Sequence, residues 1–203
     1  MRQAKALNDL RFAFDYRLLR LELLAKTAAQ LEDVEKRREA GYLAVELHNC
    51  WSGFARSFFL SVMCGTLTLN GRRAFPTLTG PFASADDALK RASSALGRTD
   101  EPHWFDQVTY TRLATHFGFN NLNSITAAFA YPTTFFKLAT VRNFFAHKNQ
   151  GTAKKVSNLG HALYALTVTC PESLLLDSLS ATSAPLAIEW LHDAKVMSGL
   201  MLA

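Results

Sequence analysis

The sequence has little of several features that mark common classes of protein. Its three cysteines, at positions 50, 64 and 170, include no close pair, which argues against a disulfide framework and a zinc ribbon. Ten glycines and six prolines in 203 residues are too few for a turn-rich β-sandwich. Apolar runs are shorter than the roughly 18 residues of a membrane span, and charged residues occupy the N-terminus, where a signal peptide is apolar. We expect a cytoplasmic protein without a membrane partner.

The composition predicts an all-α fold in one domain over 1–203. With 49% hydrophobic residues, the chain can bury one sizeable core, and neither a repeat nor a linker divides it. A heptad seam predicts a long amphipathic helix within 1–40, packed against another helix of the chain or of a partner; its members are Leu7, Leu10, Phe14, Leu21, Leu24, Ala28 and Leu31. A motif-bearing bundle over 41–170 and a helical extension over 171–203 complete the expected domain.

Periodicity and punctuation predict about five to seven helices in this bundle. After a first helix that ends near Gly41, helices are expected over about 42–67, 84–96, 100–117, 133–147, 157–169 and 185–200. Ser84 is expected to cap the third of them. The Asn-rich segment 120–124 is interpreted as a loop.

Acidic residues are missing from one long segment. The 65 residues between Asp106 and Glu172 contain neither Asp nor Glu, although an average of 17 in 203 would place about five there. The basic residues of this segment are Arg112, Lys137, Arg142, Lys148, Lys154 and Lys155. A segment with only positive charge suits an anionic ligand such as a nucleic acid backbone. The alternative is that acids of the N-terminal half neutralise it.

Helix 133–147 has apolar residues on most of its sides, so we expect it to be largely buried. Arg142, Asn143 and His147 would then lie against the core or a cleft, where an unpaired guanidinium costs on the order of several kcal/mol. Its partner is either an acid from another helix or an anionic ligand. The structural alternative is an Arg142 bonded to carbonyls, with His147 favoured by the helix dipole.

The string Arg142-Asn143-Phe144-Phe145-Ala146-His147 resembles the R-x4-6-H motif of the HEPN superfamily. The resemblance covers 40–170 loosely and these six residues closely. It implies a HEPN-like helical bundle and metal-independent RNA cleavage without a cofactor, with Arg142 and His147 as catalytic residues. It also implies a homodimer whose two motifs face each other, and a toxin or antiviral defence protein with a cognate antitoxin or defence-system partner.

The same residue types suit RNA cleavage on chemical grounds. RNA carries its own nucleophile, the 2′-hydroxyl, so cleavage needs a proton acceptor, a proton donor and positive charge at the phosphorus, but no metal. Histidine exchanges protons near neutral pH, and the arginine fork matches two phosphate oxygens. Asn143 shares a helix face with His147 and could orient the imidazole or the RNA. Arg142 and His147 lie about 140° and about 7.5 Å apart on a helix, so a complete site needs two copies.

A polar stripe on the second helix offers supporting residues, namely Glu46, Asn49 and Arg56. Glu46 is the candidate to pair with Arg142 or to hold His147, and Arg56 could contact a phosphate. The alternative is an interhelical polar network that only fixes packing.

Three lysines, Lys148, Lys154 and Lys155, are candidate contacts to the RNA backbone, although the last two could be solvated loop charges. The six histidines show no metal-ligand spacing, so no metal site is expected. The sequence therefore predicts a metal-independent endoribonuclease that cleaves single-stranded RNA and leaves 2′,3′-cyclic phosphate ends. The alternatives are a non-catalytic RNA-binding or interaction subunit of a defence or toxin-antitoxin complex, and a dimeric scaffold that uses the first helix.

Overall fold

The computed structural model describes residues 7–132, 134–165, 170–179 and 184–203. Within these residues lie nine α-helices: α1 Leu7–Ala28, α2 Asp33–Met63, α3 Ala85–Ala95, α4 Gln107–His116, α5 Leu122–Ala130, α6 Leu138–His147, α7 Gln150–Tyr164, α8 Pro171–Leu176 and α9 Leu186–Leu202. A 3-10 turn, Phe135–Lys137, precedes α6, and the strands β1 Thr66–Leu67 and β2 Arg73–Ala74 pair antiparallel. The predicted all-α class is confirmed, with more helices than expected.

The described residues form two compact units, each assembled from segments that are distant in sequence. Of these residues, the first unit draws on 7–15, 51–132 and 196–203, and the second on 16–50, 134–165, 170–179 and 184–195. These limits do not follow the predicted boundaries at 40 and 170. The single domain over 1–203 stays a prediction.

The N-terminal helix is shorter than its seam predicts. α1 ends at Ala28 and α2 begins at Asp33, so Gly41, the expected stop, lies inside α2. The break contains neither glycine nor proline; the Thr27 hydroxyl there donates to two carbonyls of the preceding turn. The acidic residues Asp33 and Glu35 in the first turn of α2 favour a new helix start through the helix dipole. Most of the predicted seam is nevertheless buried within the chain.

In the second unit, one face of α2 receives α6. A Cβ atom at Gly41 would lie 3.0 Å from Cδ1 of Phe145, so the missing side chain lets the phenyl ring come close to the α2 backbone. Phe145, Leu138 and Val141 are the buried residues of α6. This packing fixes which side of α6 remains open to solvent.

Capping explains where two later helices begin. The Ser84 side chain accepts a hydrogen bond from the Asp87 N–H at 3.2 Å, which confirms Ser84 as the cap of α3. Asn149 starts α7 well before residue 157, because its Oδ1 accepts the Thr152 N–H at 2.9 Å and its own N–H donates to the Thr152 hydroxyl. This helix also ends earlier than the expected 169, because α7 stops at Tyr164 and Ala165 caps it in the left-handed conformation.

Two further expectations change in the structure. α5 occupies part of the segment that was interpreted as a loop at 120–124. Lys154 and Lys155 lie on α7, not in a loop, because of the early start that Asn149 provides. In the described part of the chain, no helix combines the length and the apolar character that crossing a bilayer requires.

The Asn149 cap gives a test of the segment that carries these lysines. We expect Asn149→Ala to lower the free energy of unfolding by about 1 kcal/mol, because the N–H of Thr152 loses its acceptor. Urea denaturation followed by circular dichroism measures the change. The exposed Asn158 lies within α7, where alanine is the better helix former, so Asn158→Ala should be neutral or slightly stabilising. Equal losses in the two variants would contradict the capping assignment.

Candidate functional site

The predicted motif lies on the open side of α6, near its C-terminus. Asn143 and His147 are exposed and Arg142 is half-buried. The expectation that this helix is buried on most sides is therefore wrong. A single apolar stripe is enough to attach a surface helix, and in α6 three residues supply it. The three polar residues are accessible to a ligand from solvent.

Arg142 is oriented by its neighbour in the chain. Its Nη1 donates to Oδ1 of Asn143 at 3.1 Å. Its Nε is buried and has no hydrogen-bond partner among the described residues. In the described residues, the guanidinium is bound neither by an acid of the second unit nor by a backbone carbonyl. These are the two intramolecular partners expected from the sequence, and neither is observed. Asn143 thus positions Arg142, a role that the sequence did not assign to it.

His48 of α2, which was not predicted from the sequence, also belongs to this site. Burial and the positive charge of Arg142 lower the pKa of His48 to about 4, while a hydrogen bond with the Asn49 side chain opposes the shift. The imidazole is therefore neutral at neutral pH. The signal that could have found it is its position seven residues after Gly41, on the α2 face that receives α6.

Glu46 faces a different helix. Its Oε2 lies 3.8 Å from Nη2 of Arg17 in α1, and the predicted pairing with Arg142 or His147 is not formed. Two positions along a helix correspond to a turn of about 200°, so α2 directs Glu46 toward α1 when His48 faces α6. Of the predicted stripe, Asn49 reaches the site, through its hydrogen bond with His48.

Arg56 lies in the first unit and its charge is already met. Its Nε donates to Oε1 of Glu101, which also accepts the indole N–H of Trp104 at 2.6 Å. A guanidinium neutralised in this way fits the packing network that was the alternative to a phosphate contact.

The three candidate lysines, Lys148, Lys154 and Lys155, are exposed at the end of α6 and along α7. Neither they nor Lys137 or Arg142 forms an ion pair with a carboxylate described in the second unit. Among the described residues of this unit, acids of the N-terminal half do not pair with these cations, so the alternative of internal neutralisation is not observed here. The acid-free segment therefore contributes unpaired positive charge.

Neither a metal-binding group among the described residues nor a related protein indicates what this site binds. Among the described residues, no group of three or more His, Cys, Asp and Glu side chains is placed to hold a metal ion. Comparison of the chain with protein-family models, with curated proteins and with solved structures finds no match. What the site can do follows from its side chains.

The low pKa of His48 makes stability depend on pH in a defined window. Between about pH 6.5 and about pH 4 the unfolded chain binds a proton at this position that the folded chain does not, so stability falls as the pH falls through that range. We expect the melting temperature of His48→Gln to fall less between pH 7 and pH 4 than that of the unmodified protein. Thermal melts across this range measure it. His161→Gln, at an exposed position, is the matched control; overlapping profiles for His48→Gln and the unmodified protein would contradict the assignment.

Proposed function

We propose that the chain is a metal-independent endoribonuclease of HEPN type that cleaves single-stranded RNA. The observation that supports this most is the accessibility of Arg142, Asn143 and His147 on α6, where no described carboxylate of the unit pairs with the Arg142 cation. Accessible groups of this kind can take an anion that arrives from solvent. RNA is the anion whose own 2′-hydroxyl supplies the nucleophile that these residues lack.

The proposed reaction balances with these groups alone. The 2′-oxygen bonds to the adjacent phosphorus while the bond from phosphorus to the 5′-oxygen breaks. An imidazole accepts the 2′-hydroxyl proton, and a proton is delivered to the departing 5′-oxygen, which gives a 2′,3′-cyclic phosphate and a 5′-hydroxyl. Arg142, held by Asn143, places its free donors against the phosphate oxygens as negative charge builds up.

A homodimer is part of this proposal. On one helix, Arg142 and His147 diverge by about 140°, so one copy supplies a loose site. Two copies related by a twofold axis would place two imidazoles and two guanidinium groups around one phosphate, with one imidazole as base and the other as acid. We also propose a cytoplasmic toxin or antiviral effector that a cognate partner restrains, since unrestrained RNA cleavage would harm its host.

Substitution of His147 separates chemistry from folding. We expect His147→Ala to lower the rate of RNA cleavage by about 100-fold or more, because the proton acceptor is lost. Its free energy of unfolding should change by less than about 0.5 kcal/mol, because the side chain is exposed. The assay uses a labelled single-stranded RNA in EDTA with analysis of the product ends.

His161→Ala is the matched control, because His161 is also exposed but lies on α7. It should cleave like the unmodified protein. Cleavage that survives His147→Ala, or that disappears when EDTA is added, would contradict the proposed mechanism.

One observation favours the second candidate function, a non-catalytic interaction subunit. Three large apolar side chains of α1 in the second unit, Tyr16, Leu19 and Leu23, are exposed and spaced three and four residues apart. Phe12, four residues earlier on the helix, is exposed as well. This row differs from the buried seam, and such spacing is how two helices pack side by side. A second copy of the chain presents the same row.

This row can be tested by charge. Leu19 and Leu23 are each 64% exposed, so Leu19→Glu with Leu23→Glu should leave the fold intact but convert a dimer into a monomer, because carboxylates disfavour an apolar contact. Light scattering after gel filtration measures the mass. Val34→Glu, at a position 84% exposed on α2, is the control and should stay dimeric. An unchanged mass in the double variant would contradict a role for the row, and a dimer that binds RNA without cutting it would favour this second function.

A further inference from the structure

We propose that the second unit contains a nucleotide-binding cleft between the end of α6 and the start of α7, separate from the Arg142–His147 face. The cleft has a volume of about 670 Å³, within the range of small-ligand sites. Phe144 and Lys148 line it from the end of α6, and Lys154 and Ser157 line it from α7. Arg37 of α2 completes its rim. The ligand is one nucleotide, free or as a unit of an RNA strand.

The charges around the cleft favour a phosphate. Arg37 is fixed, since its Nε and Nη2 both donate to Oε1 of Glu172, at 3.0 and 2.9 Å. Glu172 is only 4% exposed and pairs with Arg37 through Oε1, while its buried Oε2 has no hydrogen-bond partner among the described residues. Lys148 and Lys154 have no ion-pair partner among the carboxylates described in this unit. Two uncompensated ammonium groups on one cleft attract a group with two negative charges.

The backbone at Lys148 gives an independent reason to regard this lysine as functional. It ends α6 in the left-handed conformation, with φ 43° and ψ 45°. Glycine adopts this conformation without strain and is the usual residue at such a helix end, whereas a lysine is strained there. Strained residues cluster at ligand sites, so the position of Lys148 at the edge of the cleft is consistent with a binding role for its side chain.

The apolar part of the cleft suits a base. The rings of Phe144 and Phe145 line it and pack edge to face, with centroids 5.1 Å apart and planes at 72°. Aromatic rings next to basic groups accept bases with little preference for sequence. Gln150 and Ser157 add polar groups that can bond to ribose or base edges. A simple inorganic anion would leave this aromatic part empty.

This cleft divides the predicted RNA-binding lysines into two groups. Lys148 and Lys154 line it, whereas the adjacent Lys155 does not. The inference does not rest on RNA cleavage, because nucleotide binding can be measured in a protein that cannot cut. It also gives Arg37 of α2 and Phe144 of α6 a role in lining a binding cleft, which neither has in the proposed cleavage reaction.

Binding is tested in the full chain carrying His147→Ala, by fluorescence anisotropy with two probes: a fluorescent AMP and a fluorescent single-stranded tetraribonucleotide. Lys154→Gln and Lys148→Gly should each weaken binding about tenfold or more, because each removes one charge-assisted contact. Lys155→Gln should change it less than about twofold. Comparable affinity for both probes identifies a free nucleotide as the ligand, and affinity for the tetranucleotide alone identifies an RNA strand.

Melting temperatures show whether a variant loses nucleotide binding without losing stability. Lys148→Gly should not lower the melting temperature, because glycine relieves the left-handed strain. Ala165→Gly is the matched control, since Ala165 is also left-handed, with φ 54°, and does not line the cleft; it should keep full binding. Equal effects of Lys154→Gln and Lys155→Gln, or no affinity for either probe, would overturn the inference. Loss of cleavage with intact nucleotide binding would instead concern only the proposed function.

Discussion

The second unit has more positive charge than its own carboxylates can neutralise. Five of its described acids pair with cations outside the acid-free segment, and no described acid of the unit pairs with a cation of α6 or α7; the pairs are Glu22 with Lys26, Glu46 with Arg17, Asp177 with Lys36, Glu172 with Arg37 and Glu39 with Arg38. The cations of α6 and α7 therefore lack partners from within the unit. An exposed cation is stable in water, so this arrangement does not strain the fold, but it favours the arrival of an external polyanion. Both the proposed site and the proposed cleft depend on this imbalance.

The angular positions of residues on α2 decide which of these cations reach solvent. Arg37, Gly41 and His48 fall on one face by their spacing of four and seven residues, and this is the face toward α6. Gly41 admits Phe145, and that contact determines the rotation of α6 about its axis. Because Phe145 is turned inward, Asn143 and His147 are turned outward. One missing side chain thus sets the exposure of the motif.

The sequence predicted the fold class, the Ser84 cap and the buried character of the first-helix seam, because periodicity and capping are local properties. It did not predict the break after Ala28, which has no glycine or proline to mark it. It also overestimated the burial of α6, since a count of apolar residues does not reveal which of them pack against another helix. Phe144 illustrates this point: it is apolar and half-buried, and it lines a cleft instead of the core.

Within the candidate site, single-helix geometry was predictable and contacts between helices were not. The proximity of Asn143 to Arg142 follows from adjacency in the chain, whereas the choice of Glu46 between α1 and α6 depends on how three helices pack. His48 was missed because it does not share the polar stripe of Glu46 and Asn49. A glycine on a long helix is the useful signal, since it marks where a second helix comes close.

The most direct test of the unpaired charge is the salt dependence of RNA binding by the full chain carrying His147→Ala. For single-stranded RNA, the logarithm of the binding constant falls with the logarithm of salt concentration by about 0.7 for each phosphate that a cation neutralises. We expect a steep slope that becomes shallower by about this amount when Lys148 or Lys154 is replaced by glutamine. A slope near zero, or a slope unchanged by these substitutions, would contradict the account.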